Sequence, residues 1–107
     1  MKLVGLFYFI CSMKIQNLSI QAIPINTENA YTHIDAAIEV IQSSGLNYEI
    51  TPFSTVVEGS LEALQRLISS IQQEVFTSGA EEVILNIQIH SKKSKDVFLN
   101  EKTHKFH

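Results

Sequence analysis

The spacing of apolar residues switches between two periods along the chain, and the order of these switches constrains the fold more than any other feature. Residues 18–25, LSIQAIPI, alternate between apolar and polar side chains as a half-buried strand does, and Pro24 marks the end or an edge of that strand. The run AYTHIDAAIEVIQSS, which follows Asn29, then places apolar residues at steps of three and four. We therefore predict a strand followed by a helix that Asn29 caps and Gly45 ends.

The second half of the chain repeats this order with one additional strand. Residues 48–53 and 55–58 are two β-rich segments with almost nothing between them, which predicts a tight hairpin or a sharply bent ribbon. Ser60 then precedes an apolar stripe at helical spacing that Gly79 closes, and residues 83–90 alternate almost without fault. This half therefore predicts a hairpin, a helix and a last strand.

The resulting order, β-α-β-β-α-β, is typical of a ferredoxin-like sandwich of the α+β class. We expect two helices to cover one face of an antiparallel sheet and to leave the other face uncovered. A face of mixed polarity is either solvated or packed against a second copy of the chain. Its expected members are Ser19, Gln21, Ile23, Asn86 and Gln88.

Length and composition indicate one soluble globular domain. The 107 residues are enough for one core, and a hydrophobic fraction of 45% with 18% charged residues is ordinary for such a domain. The formal charge of −3 argues against a nucleic-acid partner, and the cluster of Lys92, Lys93 and Lys95 is expected to be a solvated tail. The single cysteine, Cys11, provides neither a disulfide framework nor a zinc pair, which favours a reducing cytoplasm.

The first residues of the chain resemble a targeting segment only in part. MKLVGLFYFIC has the basic and apolar parts of a signal peptide, but no A-x-A-like cleavage site follows, and the apolar run is shorter than the ~20 residues that a membrane-spanning helix needs. A clean strand pattern begins only after Met13. We therefore expect residues 1–12 to be a leader or upstream start, with translation beginning at Met1 or Met13. Residues 13–107 are expected to form one ligand-binding domain with no membrane partner.

Common catalytic and metal-binding patterns do not occur in the sequence. The one thiol lies in the leader, and no G-x-S-x-G motif is present. The histidines lack metal-ligand spacing, and the glycines form no phosphate-binding loop. Glu49 and Glu58 are candidates for a general acid–base pair, but on a hairpin both side chains are equally able to face water. We therefore expect no catalytic residue, no metal and no cofactor.

The segment YEITPFSTVVEGS, residues 48–60, is the best candidate for small-molecule binding. Ser54, Thr55 and Glu58 supply hydroxyl groups and a carboxylate next to the flat face of Phe53, which is how planar heterocycles are held. The alternative is purely structural. Threonine and valine are good strand residues, Phe53 then belongs to the core, and Glu58 is an exposed charge on an edge. The chemistry of the residues leaves both interpretations open.

Three segments resemble the small thiamine-binding, YkoF-like proteins. They are AIPINTEN (residues 22–29), AIEVIQSSGLNYEITPFSTVVEG (37–59) and VFTSGAEEVILNIQIHSKK (75–93), and the similarity covers residues 13–106. The resemblance implies a ferredoxin-like fold and assembly into dimers or tetramers through the sheets. It also implies binding of thiamine or its hydroxymethylpyrimidine part, with no enzymatic activity.

The family motifs carry over to specific positions. The turn P-[IV]-[ST]-T-E falls on residues 24–28, with Asn26 in place of the usual serine or glycine, and PFSTxVEG falls intact on residues 52–59. The resemblance implies that the aminopyrimidine stacks near Phe53, that Glu58 accepts a hydrogen bond from its amine or protonated ring nitrogen, and that hydroxyl groups complete the site. The polar face of the last strand adds one more candidate. The expected ligand-binding residues are Pro24, Thr27, Phe53, Ser54, Thr55, Glu58 and Asn86.

The leading hypothesis is a protein that carries, buffers or senses thiamine or a related pyrimidine. Two alternatives stay open. In the first alternative, the chain is a structural or regulatory module that recruits another protein or a second copy through its sheet face and edge strands. In the second alternative, the chain is an enzyme that acts on a thiamine precursor, because a site for a pyrimidine is also able to hold a reactive pyrimidine.

Overall fold

The computed structural model of the chain describes residues 14–100. The expected leader, residues 1–12, lies outside this range, so its assignment stays a prediction. The elements are β1 (Ile15–Pro24), α1 (Ala30–Ser43), β2 (Asn47–Ile50), β3 (Thr55–Ser60), α2 (Leu61–Thr77) and β4 (Val83–His90). This order confirms the predicted β-α-β-β-α-β arrangement. None of the helices within this range is long and apolar enough to cross a membrane.

The four strands form one antiparallel sheet in the order β2-β3-β1-β4. The central strand β1 pairs with β3 through six residues and with β4 through eight. Both helices pack on one face, where the alternation of each strand places its apolar side chains. The core between the layers consists of Leu18, Ile20, Val57, Ala37, Ile41, Leu64, Leu67, Ile71, Val75 and Ala80.

The two helices begin differently. Ser60 caps α2 as predicted, because its Oγ accepts a hydrogen bond from the backbone nitrogen of Ala63 at 3.1 Å. Asn29 occupies the capping position of α1, but its side chain makes no capping bond. Instead the Thr27 hydroxyl accepts from the backbone nitrogen of Asn29 at 3.0 Å. The expectation that Asn29 caps the helix through its side chain was therefore wrong.

The face of the sheet opposite the helices is partly covered. We call residues 96–100 the C-terminal strap. Asp96 Oδ1 accepts a hydrogen bond from the backbone nitrogen of Ile15 at 2.9 Å. The backbone nitrogen of Val97 donates to the Ile15 carbonyl, also at 2.9 Å. Asn17 Nδ2 donates to the Val97 carbonyl, also at 2.9 Å, and Val97 is only 1% exposed. The expectation of an entirely uncovered face was therefore wrong at the Asn17 end.

The strap also corrects the expected tail. Residues 91–95, which carry the lysine cluster, are exposed, but the chain then returns to the sheet and buries Val97. At the opposite end of the same face, Gln21, Ile84 and Asn86 remain exposed. The strap thus divides the face into a covered half and an uncovered half.

Candidate functional site

The turn that joins β2 to β3 is braced by one threonine. The Thr51 hydroxyl donates to the Ser54 carbonyl at 2.7 Å and accepts from the Ser54 backbone nitrogen at 3.1 Å. The Thr51 backbone nitrogen also donates to the Ser54 carbonyl, at 2.9 Å. Pro52 and Phe53 form the tip, and the Phe53 side chain is 83% exposed. The turn therefore presents an aromatic ring on a fixed backbone.

A cavity of about 160 Å³ lies behind this turn, between the sheet and α1. Three segments contribute most of its lining: the middle of β1, the sheet-facing side of α1 and the β2–β3 hairpin. One residue of α2 also lines it. We call it the ring cavity. Its lining residues are Ile20, Gln21, Ala22, Ile34, Ala37, Ile38, Ile41, Pro52, Phe53, Ser54, Thr55 and Ile71.

Thr55 is the buried polar side chain of the ring cavity. It is 7% exposed, and it pairs in register with Ile20 on β1, whose side chain is in the core. Within residues 14–100 its hydroxyl makes no side-chain hydrogen bond. Since no buried side-chain oxygen or nitrogen in this part of the chain lacks a hydrogen-bond partner, the Thr55 hydroxyl reaches the space of the cavity, where a ligand atom is able to bond to it. This hydroxyl is therefore the polar group through which the cavity is able to orient a ligand.

Phe53 and Ser54 complete the hairpin side of the cavity. Phe53 lies at its mouth, because it lines the cavity and is nevertheless largely exposed. The Ser54 hydroxyl accepts a hydrogen bond from Ser19 Oγ at 3.0 Å, which ties the turn to β1. The structure thus brings Phe53, Ser54 and Thr55 together, as expected from the sequence.

Glu58 lies elsewhere. Its Oε1 accepts from Asn47 Nδ2 at 2.7 Å, and its Oε2 accepts from the backbone nitrogen of Leu99, in the C-terminal strap, at 2.8 Å. These partners place the carboxylate on the strap side of the sheet. Residues three apart in a strand point to opposite faces, so Thr55 and Glu58 are separated. The expectation that Phe53 and Glu58 flank the same ring is therefore corrected by the alternation of β3.

Pro24 and Thr27 lie at the other end of β1, outside the lining of the ring cavity. Pro24 pairs in register with Val83 at the end of the strand. Thr27 Oγ1 lies 3.0 Å from His33 Nε2 and also accepts from the Asn29 backbone nitrogen. The Thr27 hydroxyl therefore already stabilises the entry to α1.

Asn86 is also outside the ring cavity. It is exposed on the uncovered half of the sheet face, opposite Gln21, and its Nδ2 lies 3.5 Å from Gln21 Oε1. At that distance the contact is weak. Four of the seven sequence-predicted residues thus lie away from the cavity that the other three line.

The helix side of the cavity was not predicted from the sequence. Ile34, Ala37 and Ile38 of α1 line it, as does Ala22 of β1. The apolar spacing of α1 was visible in the sequence and correctly indicated a buried face. What it did not show was that small residues on two facing elements leave space between them.

A larger, open groove of about 700 Å³ lies between the two helices. It contains the exposed charges of Glu39, Arg66 and Glu74 and none of the sequence-predicted residues. Over the described part of the chain, no group of three or more His, Cys, Asp or Glu side chains is placed to hold a metal ion. The ring cavity is therefore the better candidate for a small organic ligand, since it is narrow, mostly apolar and has one buried polar group.

Comparison with known proteins identifies a matching family model, similar sequences and similar solved structures. A family model described as "Thiamine-binding protein" matches residues 18–107. The UPF0045 protein CPE1503 of Clostridium perfringens is 32% identical over 91 residues, which cover 84% of this chain and 95% of that protein.

Two solved structures share the fold over most of the chain. A Bacillus cereus domain of unknown function, DUF77, has a TM-score of 0.82 and 37% identity, covering 88% of this chain and 91% of that domain. A Thermotoga maritima protein, whose given name connects it with thiamine biosynthesis or salvage, has a TM-score of 0.79 and 28% identity. That match covers 87% of this chain and 99% of the other.

Proposed function

The chain belongs to the thiamine-binding protein family, and from this membership together with the ring cavity we propose that it binds thiamine, or the hydroxymethylpyrimidine part of thiamine, without converting it. The family description and the name of the Thermotoga maritima relative support a thiamine-related role. The observation that carries the proposal is the Thr55 hydroxyl, which makes no side-chain hydrogen bond within residues 14–100, in a cavity of about 160 Å³ with an aromatic ring at its mouth.

The pyrimidine is the part of thiamine that suits this cavity. Its flat faces pack against the aliphatic side chains of α1, and its ring nitrogen or amine reaches the Thr55 hydroxyl. The thiazolium then lies outside, where the exposed ring of Phe53 offers a cation–π contact. The formal charge of −3 on the chain favours the approach of this cation.

Binding without turnover is proposed because the ring cavity offers no acid, base or nucleophile of the usual kinds. Its lining consists of aliphatic residues, Pro52 and Phe53, with Gln21, Ser54 and Thr55 as its polar members, and the Gln21 amide lies on the opposite face of the sheet beside Asn86. Of these, the hydroxyl of Ser54 is bonded to Ser19, and no histidine or carboxylate adjoins the hydroxyl of Thr55 in the lining. The proposed role is therefore that of a carrier, buffer or sensor. We place it in the cytoplasm, as the single cysteine suggests.

Calorimetric titration of the full chain with thiamine and with hydroxymethylpyrimidine tests this function. We expect saturable binding of both ligands, and mass spectrometry of the ligand after prolonged incubation should recover it unchanged. Absence of binding in calorimetry and in thermal-shift measurements with both ligands would contradict the proposal. A product that forms in proportion to protein concentration would instead favour the alternative that the chain is an enzyme acting on a thiamine precursor.

A second role, assembly through the sheet face, is favoured by one observation on the uncovered half. Ile23 and Ile84 are directly opposite each other in the β1–β4 register, and Ile84 is 49% exposed. We propose that this half packs against the same half of a second copy, giving a dimer or tetramer. Ile84→Lys should lower the mass measured by light scattering, whereas Gln88→Lys, at an exposed polar position on the same strand, should change it less.

A further inference from the structure

The size of the ring cavity allows only a narrow class of ligands. Apolar cavities of about 150 Å³ take up benzene, whereas pockets for drug-sized molecules are typically about 300 to 1,000 Å³. At about 160 Å³, the ring cavity has room for one six-membered ring with small substituents. A fused two-ring heterocycle exceeds that volume.

The cavity exists because two small residues face each other in an otherwise bulky layer. On α1, Ala37 lies among the isoleucines of the same apolar stripe, and it is only 5% exposed. On β1, Ala22 follows Ile20 on the helix-facing side of the strand and also lines the cavity. Neighbouring positions on both elements carry isoleucine, so the missing carbon atoms at these two positions provide much of the space.

The polar side of the cavity lies on the hairpin, whereas α1 contributes only aliphatic side chains. A ring bound there directs a hydrogen-bonding edge to Thr55 and an apolar edge to Ala37. Larger groups on the apolar edge meet the aliphatic side chains of α1, where one excess methylene costs about 10- to 200-fold in affinity. Groups elsewhere on the ring are able to leave through the mouth beside Phe53.

We propose that Ala37, with Ala22 opposite, determines specificity by restricting the ring cavity to a single six-membered heteroaromatic ring. This inference rests on the proposed function, because it names the residue that sets which part of a thiamine-like ligand enters. It also makes a statement about ring size that is measurable with simple probes.

The test compares Ala37→Val with Ala36→Val. Both substitutions place the same branched side chain in the same helix, but Ala36 faces the groove between the helices and does not line the ring cavity. The probes are thiamine, 4-amino-2-methylpyrimidine and the fused-ring 4-aminoquinazoline. The wild type should bind the first two and reject the third.

Ala37→Val should weaken the binding of both single-ring probes by about 10-fold or more, whereas Ala36→Val should leave it within about 2-fold. Urea unfolding of each variant shows whether it is folded. If Ala37→Val does not fold, Ala22→Val reduces the same cavity from the strand, where valine is favoured, and should give the same loss. Equal affinity of the wild type and a folded Ala22→Val or Ala37→Val variant would overturn the inference and leave the proposed function intact.

Two further outcomes separate the inference from the function. Binding of 4-amino-2-methylpyrimidine without binding of thiamine would exclude thiamine as the ligand of the proposed function and would support the inference, provided that Ala37→Val abolishes it. Tight binding of 4-aminoquinazoline by the wild type would overturn the single-ring restriction. If the wild type binds none of the three probes, both proposals fail.

Discussion

The Glu58 carboxylate and the Thr55 hydroxyl lie on opposite faces of β3, although only two residues separate them in sequence. Thr55 lines the ring cavity, and Glu58 accepts hydrogen bonds from Asn47 and from the backbone of Leu99. The segment that looked like one binding motif therefore serves two purposes. One side of the strand faces a ligand-sized space, and the other holds the C-terminal strap.

Removal of the Glu58 carboxylate should therefore change stability more than ligand affinity. In Glu58→Ala the Leu99 amide and the Asn47 side chain lose their acceptor, and we expect the free energy of unfolding to fall by about 1 to 2 kcal/mol. Urea unfolding measures this change, and calorimetry should show thiamine affinity within about twofold of the wild type. Glu49→Ala, an exposed carboxylate on the neighbouring strand, should change stability by less than about 0.5 kcal/mol. A large loss of affinity with unchanged stability in Glu58→Ala would return Glu58 to the binding site.

Phe53 and Tyr31 provide a matched pair of exposed aromatic residues. Both are 83% exposed, but only Phe53 lines the ring cavity. Phe53→Ala should weaken thiamine binding by about 2- to 10-fold, because a stacking or cation–π contact contributes about 0.5 to 1.5 kcal/mol. Tyr31→Ala should leave the affinity unchanged. Equal effects of the two substitutions on affinity would show that Phe53 makes no specific contact with the ligand.

The fold was predictable from the sequence because the two periods of apolar spacing indicate which face of each helix and strand is buried. The Ser60 cap and the end of α1 at Gly45, which has a φ of +78°, follow from local chemistry and agree with the structure. Such features depend on residues a few positions apart. They are therefore accessible without knowledge of the tertiary fold.

The site was harder to predict because it depends on contacts between distant segments. Alternation along β3 was sufficient to show that Thr55 and Glu58 point to opposite faces of the sheet. The family motif contains both residues, and the prediction therefore assigned them to the same site. Nothing local indicated that residues 96–100 return to the sheet and bind Asn17 and Glu58. The ring cavity likewise arises from Ala22 and Ala37, which are 15 positions apart and meet only when α1 packs on the sheet.

Thr55→Val should separate ligand affinity from stability. Valine has nearly the same shape as threonine but no hydroxyl, and the Thr55 hydroxyl makes no side-chain hydrogen bond within the described residues. We therefore expect the ligand-free variant to be as stable as the wild type or more stable, while pyrimidine affinity falls by about 2- to 10-fold. Thr51→Val provides the contrast, because it removes bonds that brace the turn and should lower stability. Loss of stability in Thr55→Val would show that its hydroxyl has a structural role.

His33 is expected to be a structural residue that joins the entry of α1 to the end of α2. It is 3% exposed, its Nδ1 lies 2.7 Å from Ser78 Oγ, and its Nε2 lies 3.0 Å from Thr27 Oγ1. The Ser78 hydroxyl donates its one proton to the Val75 carbonyl at 2.6 Å, so Nδ1 is the donor to Ser78.

His33→Ala should lower the free energy of unfolding by about 2 to 4 kcal/mol, because it creates a cavity and leaves two half-buried hydroxyl groups with fewer partners. Urea unfolding measures the loss, and His90→Ala, at an exposed position on β4, should change stability by less than about 0.5 kcal/mol. Since His33 does not line the ring cavity, thiamine affinity measured well below the unfolding midpoint should stay within about twofold of the wild type. A selective loss of affinity, with stability retained, would instead connect the buried histidine and Thr27 to the ligand.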